Sequence, residues 1–152
     1  MLSIIIPTLN EEKFLPHLLI SLKEQTFKDF EIIVADNNST DATRSIALKS
    51  GAKMVEGGLP ARGRNNGAKV ARGEWLLFLD ADIILPPDFL EKAIAEIKES
   101  TLAAASCLIN PLSARKIDKF LHGVVNLYLK ATKKKLLMPP VFVSLLKKKF
   151  TN

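Results

Sequence analysis

At 152 residues the chain is about one domain long, and its 47% hydrophobic content and mean hydropathy of +0.13 exclude global disorder. The net charge of +6 is unevenly held: residues 1–99 carry 12 basic and 15 acidic side chains (−3), whereas residues 100–152 carry 10 basic ones and a single acid, Asp118 (+9). The basic residues are mixed with Leu, Val and Phe rather than set in a nucleic-acid-binding motif, and one Tyr and one Trp offer little base stacking, so nucleic acid is excluded as a partner.

The longest apolar runs, residues 76–79 and 102–105, fall far short of the roughly 20 residues a membrane-spanning helix needs. The N-terminus lacks a basic start and reaches Pro7 at once, so no signal peptide is expected. One cysteine, Cys107, excludes an internal disulfide and fits a reducing, cytoplasmic setting. Its apolar neighbours mark it as a core residue, and His17 and His122 are too isolated for a zinc site.

In chain order, residues 2–6 read as a buried strand ending at Pro7. Phe14, Leu15, Leu18, Leu19 and Leu22 then form a helical stripe, with Pro16 confined to the first turn. Residues 30–35 are the second strand, 36–41 a polar loop, 42–50 a short helix stopped by Gly51, and 53–55 a short strand. Gly57-Gly58-Leu59-Pro60 opens a loop, followed by a helix predicted over 64–72 that Gly73 ends. Residues 74–79 form the most apolar central strand, which runs into Asp80-Ala81-Asp82. Pro86-Pro87-Asp88 starts a helix with an Asp88/Glu91 capping-box spacing and a Leu90, Ile94, Ile97 stripe. A strand is expected over 102–109 and a strand-like run over 141–146. Between them, residues 114–132 place Ile117, Phe120, Leu121, Val124, Tyr128 and Leu129 on one side of an amphipathic helix, with lysines on its flanks. The alternation of strands and helices predicts an α/β fold with a mostly parallel sheet flanked by helices. Residues 1–112 form that domain, and residues 113–152 form a basic amphipathic tail.

Ligands of open parallel sheets bind at the carboxyl ends of the strands. Three such ends are polar where packing does not require it: residues 7–12, 36–41 and 80–82. Asp80 and Asp82 are the sharpest signal, because two carboxylates so close repel unless a divalent cation or hydrogen-bond donors sit with them. The competing reading is that they cap the loop before Pro86. Neither a phosphate-binding Gly-x-x-x-x-Gly-Lys-Ser/Thr nor a Gly-x-Gly-x-x-Gly follows a strand. A nucleotide here would have its phosphates neutralised by a metal on the aspartates and by Arg62 or Arg64.

Four ordered segments carry a resemblance over residues 2–100: Ser3-Ile-Ile-Ile-Pro-Thr-Leu-Asn-Glu-Glu, Phe30-Glu-Ile-Ile-Val-Ala-Asp-Asn-Asn-Ser-Thr-Asp, Ala61-Arg-Gly-Arg-Asn-Asn-Gly-Ala and Leu76-Leu-Phe-Leu-Asp-Ala-Asp. They resemble the family 2 glycosyltransferases with the GT-A (Rossmann-like) fold. The resemblance implies metal-dependent, inverting transfer of a sugar from a nucleoside-diphosphate sugar to a lipid-linked or polysaccharide acceptor. It implies that Pro7, Thr8 and Glu11 line the nucleoside pocket, that Asp36 meets the base edge, and that Arg64 lies near the base or phosphates. Asp80 would hold the ribose or the metal, and Asp82 the Mg²⁺ or Mn²⁺ that bridges the diphosphate. Two departures stand out. Asn37-Asn38 replaces a common Asp-Gly, and the chain stops near the strand beyond which members usually carry a catalytic carboxylate. The catalytic base is therefore unassigned among Asp118, His122 and a partner's residue, and the alternative is a truncated, inactive nucleotide-sugar-binding or membrane-associated scaffold. The basic stripe over 114–135 predicts peripheral contact with an anionic membrane, at its inner face, or else a homodimer interface.

Overall fold

The computed structural model describes residues 1–99, 104–106 and 143–148. In chain order the elements are β1 (Leu2–Thr8), α1 (Leu15–Lys23), β2 (Phe30–Asp36), α2 (Thr43–Lys49) and β3 (Lys53–Glu56). They continue with α3 (Pro60–Val70), β4 (Trp75–Leu79), α4 (Phe89–Glu99), β5 (Ala104–Ser106) and β6 (Val143–Lys147). One six-stranded sheet has the order β3-β2-β1-β4-β6-β5. Strands β3, β2, β1 and β4 are parallel, and β6 runs antiparallel to both β4 and β5.

The central strands are apolar on both faces because helices cover both faces. On one face Leu2, Ile4 and Ile6 of β1 join Leu15, Leu18 and Leu22 of α1 and Leu90, Ile94 and Ile97 of α4 in one buried cluster. On the other, Ile5, Ile33, Leu76 and Phe78 pack with Ala68 and Val70 of α3. The sheet is therefore the middle layer of three, and its mostly parallel α/β architecture is the one the apolar pattern predicts.

The clearest departures from expectation are two element boundaries and one helix cap. Strand β1 continues through Pro7 to Thr8, paired with Ala35 and Asp36 of β2. The ladder to β4 ends at Ile5, so the absent N–H of Pro7 interrupts no pairing on that side. Helix α3 begins at Pro60, a full turn before the predicted start, because proline at the first helical position fixes φ and lacks only an orphan N–H. Its buried residues are Gly63 and Gly67 rather than apolar side chains, so hydrophobic periodicity cannot register it. A Cβ on Gly67 would stand 2.4 Å from Cγ2 of Ile5, so glycine lets the helix backbone rest directly on β1. The Asp88/Glu91 capping box is not what holds α4. Asp88 pairs with Lys92, while Glu91 accepts the Thr26 hydroxyl at 2.7 Å.

Residues 143–147 of the expected tail lie within the sheet, with Lys148 N–H donating to Glu74 O at 2.8 Å. The amphipathic helix predicted over 114–132, with Cys107, Asp118 and His122, lies outside the described residues. Among the described residues no helix is long and apolar enough to cross a membrane.

Candidate functional site

Because β2, β1 and β4 are neighbours, their carboxyl ends bring Asp36, Thr8 and Asp80 side by side. The three loops that follow form one rim above the parallel half of the sheet. Asp36 ends β2, in register with Thr8. Its side chain is fully buried, and its carboxylate accepts four hydrogen bonds. They come from the Thr8 hydroxyl (3.0 Å), the Ser39 N–H (3.1 Å), the Ser39 hydroxyl (2.5 Å) and Arg44 Nη1 (3.0 Å). Burial alone would raise its pKa, but the bonds from Ser39, Thr8 and Arg44 outweigh it and hold the carboxyl below its ordinary value.

The second centre lies across β1. Strand β4 ends at Leu79, so Asp80 and Asp82 occupy the turn after it rather than alternate positions of a strand. Ala81 between them is buried in the core, Asp80 is partly buried and Asp82 is exposed. Arg64 reaches from α3 to bind Asp80, Nη2 to Oδ1 at 2.6 Å, and both side chains are 27% exposed. Burial, with Asp82 adding to it, raises the Asp80 pKa against the opposing pull of Arg64. Glu11, in the loop after β1, is raised too, by burial first and then by the charges of Asp82, Asp41 and Asp80. Four acids of three loops thus share one electrostatic neighbourhood, with Arg64 the cation bound to Asp80.

The seven residues to which the resemblance gives donor or metal contacts (Pro7, Thr8, Glu11, Asp36, Arg64, Asp80 and Asp82) lie at or beside this rim. Pro7 and Thr8 are the last two residues of β1, and Gly63 of α3 approaches Pro7 closely enough that a Cβ would stand 3.4 Å from its own. Arg62, the other predicted phosphate partner, pairs instead with Glu56 at 3.1 Å, and both side chains are well exposed. Local patterns miss Arg44, whose guanidinium closes over Asp36, and the ties between residues 10–12 and 39–43. Their one signal is a density of capping residues in both loops. Among the described residues no three His, Cys, Asp or Glu side chains gather as a preformed metal site. Two aspartate oxygen donors are nonetheless the chemistry Mg²⁺ and Mn²⁺ accept when a substrate's phosphates complete the coordination. A cavity of about 550 Å³, lined by Phe30, Glu31, Ile32, Ser50, Gly51, Lys53 and Arg72, lies at the amino ends of β2 and β3, away from these acids.

Known proteins are similar to this chain in sequence and fold. The chain is 38% identical over 107 residues to the poly(ribitol-phosphate) beta-N-acetylglucosaminyltransferase TarS of Staphylococcus aureus, covering 64% of this chain and 19% of that protein. It is 39% identical over 90 residues to the GalNAc(5)-diNAcBac-PP-undecaprenol beta-1,3-glucosyltransferase of Campylobacter jejuni, covering 53% of this chain and 29% of that one. The crystal structure of S. aureus TarS 1–349 in complex with UDP superimposes with a TM-score of 0.68 at 33% identity, over 75% of this chain and 37% of that one. The mannosyltransferase of Pyrobaculum calidifontis in complex with GDP-Man and Mn²⁺ gives 0.71 at 25% identity, over 96% and 44%. In each comparison this chain spans less than half the length of its relative. The glycosyl transferase family 2 pattern matches residues 3–139, most of the chain, and the chain belongs to that family.

Proposed function

We propose that this chain is the donor-binding part of a glycosyltransferase that moves a sugar from a nucleoside-diphosphate sugar to an acceptor, with a divalent cation and with inversion. The observation that supports it most is the rim itself: Asp36, Glu11, Asp80 and Asp82 brought together from three neighbouring strand ends, in a fold whose relatives have been solved with UDP and with GDP-Man and Mn²⁺. Pro7, Thr8 and Glu11 line the nucleoside pocket. Asp36 meets the base edge; its oxygens are already engaged, so a base reaches it by displacing Ser39 or Arg44. Arg64 holds the Asp80 side chain until the donor arrives and then neutralises phosphate.

Asp82, exposed and beside Asp80, is the main protein ligand for Mg²⁺ or Mn²⁺, and Asp80 supports it or the ribose. When bound, the ion supplies Lewis-acid stabilisation of the diphosphate leaving group. The protein's own contribution is orientation. Buried strands β1, β2 and β4 hold the acids on one rigid edge, so the donor is fixed with its sugar toward the acceptor side. A polyprenyl-diphosphate-linked acceptor fits the activity for which the Campylobacter relative is named. The basic segment over 114–135 would then keep the protein at an anionic membrane.

Isothermal titration with UDP and with GDP, each in MnCl2 and again in EDTA, tests the reading. One of the two is expected to bind with Mn²⁺ and to be lost in EDTA. Binding of neither, under either condition, would sink it. Proton NMR of the anomeric signal of the product, with a matching donor and acceptor, tests inversion.

A further inference from the structure

The loops after β1 and β2 are tied to each other through side chains. Asn10, held at φ +56°, donates its N–H to the Ser39 hydroxyl (2.9 Å) and accepts the Thr40 N–H on Oδ1 (2.9 Å). Glu12 and Asp41 serve each other's loops. The Glu12 N–H donates to Asp41 Oδ2 (3.1 Å), and Glu12 Oε2 accepts the Ala42 N–H (3.0 Å). At the base of this lattice is Thr43, fully buried at the start of α2. Its hydroxyl accepts the Glu11 N–H at 2.7 Å and donates to Asp41 Oδ1 at 2.5 Å, and the same Asp41 oxygen accepts the Thr43 N–H at 2.9 Å.

Glu11 needs such a hold. The charges of Asp82, Asp41 and Asp80 all bear on its carboxylate, and repulsion alone would drive a loop glutamate away toward water. The Thr43–Glu11 bond joins residues 32 apart in sequence, and it opposes that drift from beneath. We propose that Thr43 is the positioning residue for Glu11: it touches no nucleotide, but its hydroxyl fixes the backbone that presents the Glu11 carboxylate to the nucleoside. The inference rests on the reading that Glu11 lines the nucleoside pocket, and it adds the element that sets Glu11 in place, the first residue of α2.

The test uses the full chain and UDP and GDP with MnCl2, measured by isothermal titration. Thr43→Val keeps the shape and removes both hydroxyl bonds, leaving the part-buried Glu11 N–H without this acceptor, so nucleotide affinity is expected to fall by about tenfold. Thr43→Ser keeps the hydroxyl and is expected to bind within about twofold of the parent. A purely structural loss would move Thr43→Val in every background. If Thr43 acts through Glu11, the Thr43→Val, Glu11→Ala double variant binds no more weakly than Glu11→Ala alone. Urea unfolding of each protein shows that the binding measurements are made on folded chains. A parent chain that binds neither nucleotide overturns the donor-binding reading and this inference with it. A parent that binds while Thr43→Val binds equally well, or losses that add in full in the double variant, overturns the positioning role alone.

Discussion

Asp36 and the pair Asp80–Asp82 stand at the ends of strands on either side of β1, yet they are opposite kinds of acid. Asp36 is buried, saturated by four donors and held below its ordinary pKa. Asp80 shares one guanidinium, feels Asp82 beside it, and is raised, as is Glu11 facing both. A saturated carboxylate stabilises the fold that surrounds it. Carboxylates left with surplus negative charge cost stability and favour whatever cation arrives. In the proposed function, the same residue type at equivalent strand ends is anchored by the protein's own donors on one side of β1 and left for a cation on the other.

The largest effect expected from breaking this contrast is at the anchored side. Asp36→Ala leaves the Thr8 hydroxyl and the Ser39 N–H without their acceptor in a buried site. It should lower unfolding free energy by roughly 3 kcal/mol, read by urea denaturation at pH 7. The folded fraction should lose UDP and UMP binding to a similar degree, because the lost contact is shared. Loss confined to the diphosphate would place Asp36 with the phosphates instead.

Asp82→Asn tests the opposite side. An exposed carboxylate with no ion pair among the described residues should leave stability within about 0.5 kcal/mol of the parent. The loss should appear in binding, where a missing charge-assisted contact of about 1.5–3 kcal/mol weakens nucleoside diphosphate with Mn²⁺ by roughly ten- to a hundredfold. Large destabilisation with unchanged binding would reverse the roles assigned to the two strand ends.

The smallest effect is in pH, and its two signs differ. Asp36 has a depressed folded pKa, so its stabilisation is complete above the unfolded aspartate value of about 4 and is lost as pH falls through the folded one. Glu11 and Asp80 have raised folded values, so each costs stability at neutral pH, and that cost is relieved as pH falls through their folded values. Urea midpoints should therefore rise slightly from pH 7 toward about 4.5 and fall below about 4. The slight rise should shrink in Glu11→Gln. A monotonic fall from pH 7 in the parent would show that the crowded acids are neutralised in the free protein.

What the sequence reveals follows the range of the interaction concerned. Runs such as Ile4-Ile5-Ile6 and Leu76-Leu77-Phe78-Leu79 announce buried strands because each residue's own hydrophobicity carries the signal, and the acids placed directly after them mark the strand ends on which the proposed site rests. Helix α3 escapes at its start because its contact with β1 is made by Gly63 and Gly67, where the useful property is the lack of a side chain. The clasp of Arg44 on Asp36 and of Thr43 on Glu11 depends on two loops lying side by side, a consequence of strand order that no local pattern encodes. Strand β6 is the extreme case: its strand character is legible over 141–146, but its place against β4, with more than sixty residues between them in the chain, is not.

That insertion sets an order of assembly. Until residues 143–147 dock, β4 has β1 on one side and an open edge on the other, along Trp75-Leu-Leu-Phe-Leu, all five of which are buried in the finished molecule. A long loop must close before the edge is covered, so the last step of folding is expected to be slow and, at high protein concentration, to compete with edge-to-edge association. The chain's single tryptophan lies on that edge, with the Lys147 ammonium 5.6 Å from its ring centre, so Trp75 emission during refolding reports the moment at which the sheet is closed.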